Sequence, residues 1–593
     1  MARWMVSAKK ADFQRIGEKF GIDPVIARII RNRDVITEEE IALYLQGTLA
    51  DLHDPKLLPD MEQAVSFLLS QIERNAAIRI IGDYDIDGIC ATYILLRGLE
   101  VCGAKADAVI PHRIRDGYGL NDALIEDAAH DGIDLIITCD NGIAAAKQID
   151  YAMELGMRVI VTDHHEVPYE IAKDGSRQEL LPAAQAVIDP KRQDSIYPYD
   201  GICGAVVAYK FIQVLFEKAG AEQEELLSEL LEFAAFATVG DVMELLDENR
   251  ILVRYGLSHM VHTKNPGLKA LIEVNGLQER ALSAYHIGFV LGPCLNATGR
   301  LDTAGRALEL LTCEDFGEAV RLAGELKALN DSRKEMTLQE TDRAIAMIEE
   351  GTLSQDKVLV VYLPECHESL AGIIAGRIRE RYHKPVFVLT KGEEGIKGSG
   401  RSIEAYHMYE QMSLCKELFS KYGGHKMAAG LSLPEENLEV FRKVLNDNCK
   451  LSDEDFTPKI LIDVPMPFSY INPGLIRQLK VLEPFGNGNA KPIFATKSVH
   501  VIQGRILGKN RNVGKYRIQD ETGKNYDMIY FGDLEKWHAF LTDTFGTEER
   551  ENLYRSGSNA ICINMIYYPE MNVYQGRESL QIVMQDYSSV SSM

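Results

Sequence analysis

The ten cysteines include no C-x-x-C pair and no close-set Cys/His cluster. They are scattered from Cys90 to Cys562, which excludes a zinc site and argues for a reducing compartment. Nowhere is there an apolar run of the roughly 20 residues needed to span a bilayer. Met1 to Phe20 carries Lys9, Lys10, Asp12, Arg15, Glu18 and Lys19, so the apolar stretch of a signal peptide is missing too. A cytoplasmic chain without membrane association is expected. Repeats and low-complexity tracts are absent, so the chain should fold throughout. Basic charge is also short: 64 Lys and Arg stand against 88 Asp and Glu, a formal charge of −24. Phosphate binding normally shows as clustered Lys and Arg, so this balance at first argues against nucleic acid. Net charge is a whole-molecule average, however, and a nest of carboxylates filled by divalent cations also counts as acidic. Local patches must decide.

At 593 residues the chain is too long for one core, and two to four domains are expected. From about Ala77 to Asp189, short apolar runs alternate with helical stretches: Ile78 to Ile81, Ala106 to Ile110, Leu135 to Thr138, Val159 to Thr162 and Ala186 to Ile188. Such continuously apolar strands indicate a parallel sheet covered on both faces, with the ligand beyond the strands' carboxyl ends. Leu226 to Val239 reads as a buried helix, and Glu314 to Glu350 as one long connecting helix or two. A second α/β unit follows, with strands near Val358 to Tyr362 and Val386 to Leu389, the helix Ser369 to Tyr382 between them, and a closing helix Glu435 to Cys449. Lys450 to Pro467, charged and holding three prolines, suits a linker. From Ile493 to Met584 strands dominate, which points to a small β-barrel.

Asp83, Asp85 and Asp87 follow the first strand at i, i+2 and i+4, and in extended chain they would share one face. Two such charges about 5 Å apart repel by roughly 3 kcal/mol at an effective dielectric of 20, which a cation would relieve. The structural alternative is that Asp87 caps a helix Ile89 to Leu99 and the others are turn residues. Three carboxylates in register weaken that alternative. The pattern then recurs: Asp140-Asn141-Gly142 follows one strand and Asp163-His164-His165 the next, delivering acidic and imidazole groups to the same sheet edge. Neighbouring side chains of an extended chain diverge, so one of His164 and His165 should ligate while the other faces the substrate. Asp241, set between apolar segments, is either a metal ligand or a buried ion-pair partner. Oxygen ligands with one imidazole suit Mn²⁺, and a mostly carboxylate site also accepts Mg²⁺.

The segments Asp83 to Gly88, Asp140 to Gly142, Asp163 to His165 and Gly240 to Val242, in this order, resemble the four defining motifs of the DHH phosphoesterase superfamily. Pro111 to Leu120, Gly292 to Leu301, Gly398 to Ser402, Gly423 to Gly430 and Leu482 to Asn489 narrow the resemblance to its RecJ exonucleases. It runs from about residue 50 to 590. Departures are Cys294 where Arg is usual, Cys366 where Trp is common and Gly240 where Ala is common; losing an Arg beside the substrate path would weaken phosphate contact.

The resemblance implies an α/β fold class: an N-terminal helical segment (1–60), a parallel-sheet DHH domain (61–313), a connecting helix (314–350), a smaller α/β DHH-associated domain (351–450), and a linker with an OB-fold barrel (451–593). It implies two divalent cations, Mn²⁺ or Mg²⁺, one held by Asp85 and Asp140 and the other by Asp87, Asp140, His164 and Asp241, with Asp83 as a further acidic ligand or supporting partner. His165, Asp140 and Arg300 would be catalytic. Arg113, Arg115, Tyr118, Asn296, Arg300, Ser399, Arg401, Gly423, Gly424 and His425 would hold substrate, the glycines by letting backbone amides approach a phosphate. In the barrel, Arg505, Lys509, Arg511, Lys515 and Arg517 cluster around Tyr516, which suits either a single-strand groove or a solvated hairpin. The implied activity is 5′-to-3′ release of 5′-mononucleotides from single-stranded DNA in repair and recombination. A single-strand-binding protein and a helicase are the protein partners such work implies, with a monomer as the default. A DHH enzyme for short oligonucleotides, cyclic dinucleotides or pyrophosphate is one rival, and a catalytically silent scaffold is another. The barrel counts against the first and the full set of acids against the second.

Overall fold

The computed structural model describes residues 2–113, 119–221, 223–392, 395–508, 511–555, 557–574 and 577–590. The chain forms two compact units. Thr48–Phe456 is one, and Met1–Gly47 together with Thr457–Met593 is the other. The expected 1–60 segment is therefore divided between them.

In the larger unit, five parallel strands lie in the order Lys105–Val109, Ala77–Ile81, Leu135–Cys139, Arg158–Thr162, Ala186–Ile188. Alternate residues serve opposite cores. Ile78, Ile80, Ile137 and Ile160 pack with the helices Met61–Glu73, Ile86–Val101 and Gly204–Ala219. Ile81, Ile136, Val159 and Val161 pack under Asp122–His130 and Ala146–Glu154. Both faces are thus dry, which is why the strands read as unbroken apolar runs.

The expected register of the first acidic motif changes here. The strand ends at Ile81 and the helix begins at Ile86, one turn before the predicted Ile89. Asp83, Asp85 and Asp87 do not lie on one extended edge. Asp85 is the helix cap, its Oδ1 accepting from the N–H groups of Asp87 and Gly88 at 2.9 and 3.2 Å, and Asp87 lies in the first turn. A capping carboxylate at i and a first-turn carboxylate at i+2 converge because the chain curls.

The connector is a single helix, Phe316–Glu350, about 52 Å long at 1.5 Å per residue. Beyond it lies a sheet in the order Lys421–Gly424, Ala428–Leu433, Gly395–Arg401, Val386–Gly392, Leu359–Tyr362, antiparallel except for its last pair. The helix Ala371–Tyr382 packs on it through Ile374, Ala375 and Ile378.

The smaller unit is a closed five-stranded barrel of Phe494–Leu507, Val513–Gln519, Asn525–Tyr530, Arg577–Ser589 and Cys562–Tyr574, the last pairing back with the first. Two helices, Leu534–Phe545 and Thr547–Arg555, interrupt the strands. The expected linker is partly structured: Lys459–Ile462 pairs with Arg3–Val6, and Val464–Pro465 pairs with the first barrel strand. Its prolines mark strand edges, where no ladder donor is needed. Leu482 to Asn489 is held by the buried Asn489, whose side-chain nitrogen donates to the carbonyls of Leu482 and Pro484 while its Oδ1 accepts from Tyr44.

Candidate active site

Three strand ends and one helix end meet at a single acidic pocket. One oxygen each of Asp83, Asp85 and Asp140 lie within 4.8 Å of one another, and so do ligand atoms of Asp87, His164 and Asp241. His164 joins the two groups. Its Nε2 stands 3.1 Å from Asp140 Oδ1, 3.5 Å from Asp87 Oδ2 and 3.9 Å from Asp241 Oδ2.

Local structure fixes each group. Asp140 leaves its strand in the left-handed region (φ 59°), turning its carboxylate over the sheet edge, while Asn141 donates to the carbonyls of Ile81 and Cys139 and ties two strand ends together. Both oxygens of Asp87 accept from the start of the helix Gly204–Ala219, at 2.7 Å from Gly204 and 2.8 Å from Ala205, where the helix dipole favours an anion. Gly204 is required by close approach: a Cβ there would lie 2.7 Å from Asp140 Cβ. Asp241 caps the end of Glu224–Gly240. Gly240 fits the same logic, since a Cβ there would lie 2.4 Å from the Ile86 side chain, next to Asp85.

The histidine rings do not diverge as extended geometry predicts, because the strand ends at Thr162 and the chain bends; their centroids are 4.6 Å apart. They nevertheless differ in environment. His164 is buried beside three carboxylates, whereas 45% of the His165 side chain is exposed. Asp163, which sequence reasoning left without a role, organises the turn. Its Oδ2 accepts from the N–H of Ile143, and its Oδ1 accepts from the N–H groups of His164 and His165 and meets His165 Nδ1 at 2.7 Å. Its place as first member of the D-H-H triplet was the available signal. The turn at Gly204 carried none.

Electrostatics set the two imidazoles apart. Burial pushes the His164 pKa down, which leaves a neutral ring with a lone pair to offer. Burial also acts on His165, but the hydrogen bond and charge of Asp163 outweigh it and hold His165 up at about 9. Desolvation and then mutual repulsion push Asp83 and Asp241 up to about 8, and raise Asp85 and Asp140 for the same reasons. Asp83 Oδ1 and His164 Nδ1 are buried without a hydrogen-bond partner. Crowded carboxylates with one neutral imidazole and unsatisfied atoms form a donor set that divalent cations fit.

A second feature is basic. Arg300 donates from Nη1 to the Ser369 carbonyl at 2.8 Å, reaching from the catalytic domain to the following one. Burial and the nearby guanidinium groups of Arg113, Arg333 and Arg401 push its pKa down to about 10. Arg113, Ser369, Lys397 and Ser399 line a cavity of about 160 Å³. Of the four arginines Arg113 lines that cavity, where Lys397 is paired with Glu368 at 2.8 Å; the guanidinium groups clustered around Arg300 favour a bound anion. Asn296 uses its Oδ1 to accept from the N–H of Ile86 at 2.9 Å, so it positions the first acidic helix. Gly423, Gly430 and Ser399 pair across three neighbouring strands, with Gly423 and Gly430 open to solvent, giving a strip where a nucleotide can approach the backbone. Gly424 and the exposed His425 lie at the hairpin tip beside this strip. Arg115 and Tyr118 lie outside the described residues.

Cys294 is fully buried, its sulfur 3.5 Å from Asn330 Nδ2 on the connecting helix. One expectation fails. Tyr516 is not a stacking platform: it is 1% exposed, packs against Trp537 and bonds the Tyr554 hydroxyl at 3.0 Å. Strand alternation turns Tyr516 inward while Lys515 and Arg517 face out, paired with Arg505 and Gln503. Lys515 meets Asp527 at 3.1 Å. Arg511 is exposed, and Lys509 lies outside the described residues.

Fold and site define a phosphoesterase class: the family models for the DHH family N-terminal domain, the DHHA1 domain and the RecJ OB domain match residues 77–238, 355–451 and 462–586. The single-stranded-DNA-specific exonuclease RecJ of Dickeya dadantii is 33% identical over 95% of both chains. The protein of the same name from Bacillus subtilis is 35% identical over 90% of this chain, which spans 66% of that relative's length. A crystal structure of Thermus thermophilus RecJ in complex with Mn²⁺ superposes with a TM-score of 0.80 at 26% identity, over 99% of this chain and 79% of that one. The chain belongs to the RecJ family.

Proposed function

We propose that the protein is a metal-dependent, single-stranded-DNA-specific exonuclease that releases 5′-mononucleotides in the 5′-to-3′ direction during repair and recombination. The observation that carries this reading is the convergence of Asp83, Asp85, Asp87, Asp140, His164 and Asp241 at one sheet edge, with Arg300 and its neighbouring guanidinium groups close to Asp85. Asp83, Asp85 and Asp140 would hold one divalent cation, and Asp87, His164 and Asp241 a second, with Asp140 placed to serve both. Mn²⁺ and Mg²⁺ are the ions, and both are named for the Thermus thermophilus structures. When bound, such ions lower the pKa of a coordinated water and offset charge on the phosphoryl oxygens.

The chain's own groups supply the rest. Asp163 bonds His165 Nδ1 and holds the ring protonated, and this half-exposed imidazole would donate to a non-bridging oxygen of the scissile phosphate. Arg300, with Arg113 and Arg401, holds the same or the next phosphate, and burial strengthens these charge-assisted bonds. Asn296 keeps Asp85 in place through the Ile86 N–H. Ser399 and the Gly423 strip receive the terminal nucleotide, with Gly424 and His425 beside it.

Single-stranded DNA is the partner of this reading, and a cytoplasmic monomer working with a single-strand-binding protein and a helicase completes it. No described helix is long and apolar enough to cross a membrane. Comparing a long single strand with a dinucleotide as substrates in Mn²⁺ tests the substrate class. Faster turnover of the long strand supports the exonuclease, and a preference for the dinucleotide would assign a short-oligonucleotide phosphodiesterase instead.

A further inference from the structure

The stretch between Asp241 and the helix Asp247–Met260 is bracketed by two left-handed residues that are not glycine, Val242 (φ 59°) and Asp247 (φ 44°). Left-handed backbone crowds a Cβ, and a β-branched one most of all, so Val242 is strained where it directly follows Asp241. Burial does not hold it there, because the Val242 side chain is 66% exposed. Strain of this kind persists only where surrounding contacts over-determine the chain.

Those contacts come from the first turn of the helix that follows. Asn249, fully buried, donates from Nδ2 to the Glu244 carbonyl at 3.0 Å and to the Gly201 carbonyl at 2.7 Å. Both carbonyls can only accept, which fixes the amide nitrogen toward them. Glu244 lies in the bracketed stretch, three residues after Asp241, and Gly201 lies three residues before Gly204, whose N–H holds Asp87. One side chain thus ties together the two stretches that deliver Asp241 and Asp87. Its neighbour Glu248, also fully buried, meets Lys210 Nζ at 2.9 Å and accepts from the Tyr197 hydroxyl. Lys210 belongs to the helix Gly204–Ala219, so the ion pair clamps the same two elements a second time. A buried ion pair adds little net stability; what it can supply is a fixed register between the elements that carry it.

We propose that Asn249 is a positioning residue for one of the two cations: it holds Asp241 in reach of Asp87 and His164, the Lys210–Glu248 pair keeps the two elements in register, and together these contacts offset the strain at Val242. Without Asn249 the exposed, strained stretch relaxes, whereas the buried start of Gly204–Ala219 stays in place. The inference rests on the metal-centre reading and deepens it, because the device serves the ion of Asp87, His164 and Asp241 and spares the ion of Asp83, Asp85 and Asp140.

The test is titration calorimetry of Mn²⁺ into the full metal-free chain, with circular dichroism as the check on folding. Wild type should show two binding events. Asn249→Leu, close in volume and unable to donate, should weaken one event about tenfold or more, as loss of a contact supporting a metal ligand does, and leave the other unchanged within about twofold. Asp241→Asn should weaken the same event, and adding Asn249→Leu to it should change neither event further, since both act through one carboxylate. Val242→Gly takes φ 59° without strain, so adding it to Asn249→Leu should restore most of the lost affinity. Equal weakening of both events, an additive loss in the Asp241→Asn background, or no recovery with the glycine would each overturn the positioning role. If Asn249→Leu does not fold, Lys210→Met/Glu248→Gln removes the ion pair without leaving a buried charge unpaired. It should produce the same selective loss, and unaltered binding of both ions would overturn the proposal. A wild-type chain that binds no Mn²⁺ would remove the metal-centre reading itself, an outcome the wild-type titration shows separately.

Discussion

Within the acidic pocket, proton affinity and metal affinity are the same quantity seen from two sides. Asp83, Asp85, Asp140 and Asp241 have raised pKa values in the folded protein, up to about 8 for Asp83 and Asp241. Below about pH 4 these groups are protonated in both folded and unfolded chains and cost nothing. As pH climbs toward 8 the unfolded chain releases protons that the folded chain retains, so metal-free protein loses stability across that window. Divalent cations compete with exactly those protons. The melting temperature of metal-free protein should therefore fall from pH 5 to pH 8, and added Mn²⁺ should raise it more at pH 8 than at pH 5. Equal stabilisation at both would argue against ligation by this cluster. A second prediction concerns Asp163. In Asp163→Asn the His165 pKa falls from about 9 toward its ordinary value, so the protonated ring is lost above about pH 7. The pH profile of kcat/KM should lose its alkaline shoulder, with activity at pH 8 down about tenfold or more, and an unshifted profile would leave Asp163 a purely structural role.

At the scale of elements, the strand ends and the helix starts explain why these acids meet. Gly204 lets one helix N-terminus press against Asp140. Gly204→Ala should displace that carboxylate, weaken Mn²⁺ binding about tenfold or more and leave the secondary structure intact, as titration calorimetry and circular dichroism would check. The barrel strand Val513–Gln519 separates charge from packing by alternation. Tyr516→Ala should cost about 3–5 kcal/mol of stability as a core truncation. Replacing Arg505 and Arg517 with Ala should instead lower the salt slope of single-strand binding by about 0.7 per lost phosphate contact; an unchanged slope would mean that the patch is merely solvated. The parallel strands were readable from the sequence because burial on both faces leaves unbroken apolar runs. The start of the helix at Ile86 was not, because Asp85 and Asp87 fit a cap and a metal ligand equally well. Tyr516 misled for a related reason: basic neighbours in sequence are on the opposite face in a strand. The two helices between barrel strands were hidden by the expectation of regular strand alternation.

For the molecule as a whole, a charge of −24 and a nucleic-acid substrate are compatible because charge is sorted locally. Acids gather at the sheet edge, and arginines cluster around Arg300 nearby. The motif order made the converging acids visible in advance, since they sit at strand or helix ends marked by Gly or Asn. The arginine cluster was visible but for one member: Arg113, Arg300 and Arg401 carried motif signals, whereas Arg333 comes from a long helix with no local signature. Tertiary packing alone brings it near. Likewise, nothing in residues 2–47 announces that they pack with the barrel, because their partners lie more than 400 residues away.

The most direct measurement uses DNA labelled at either end, single- or double-stranded, incubated with the wild-type chain and with Asp140→Ala in Mn²⁺ or in EDTA. Wild type should release labelled mononucleotide first from the 5′ end of the single strand and only with the metal, while Asp140→Ala, folded, releases none. Hydrolysis in EDTA, or turnover by Asp140→Ala comparable to wild type, would contradict a metal centre built around that carboxylate.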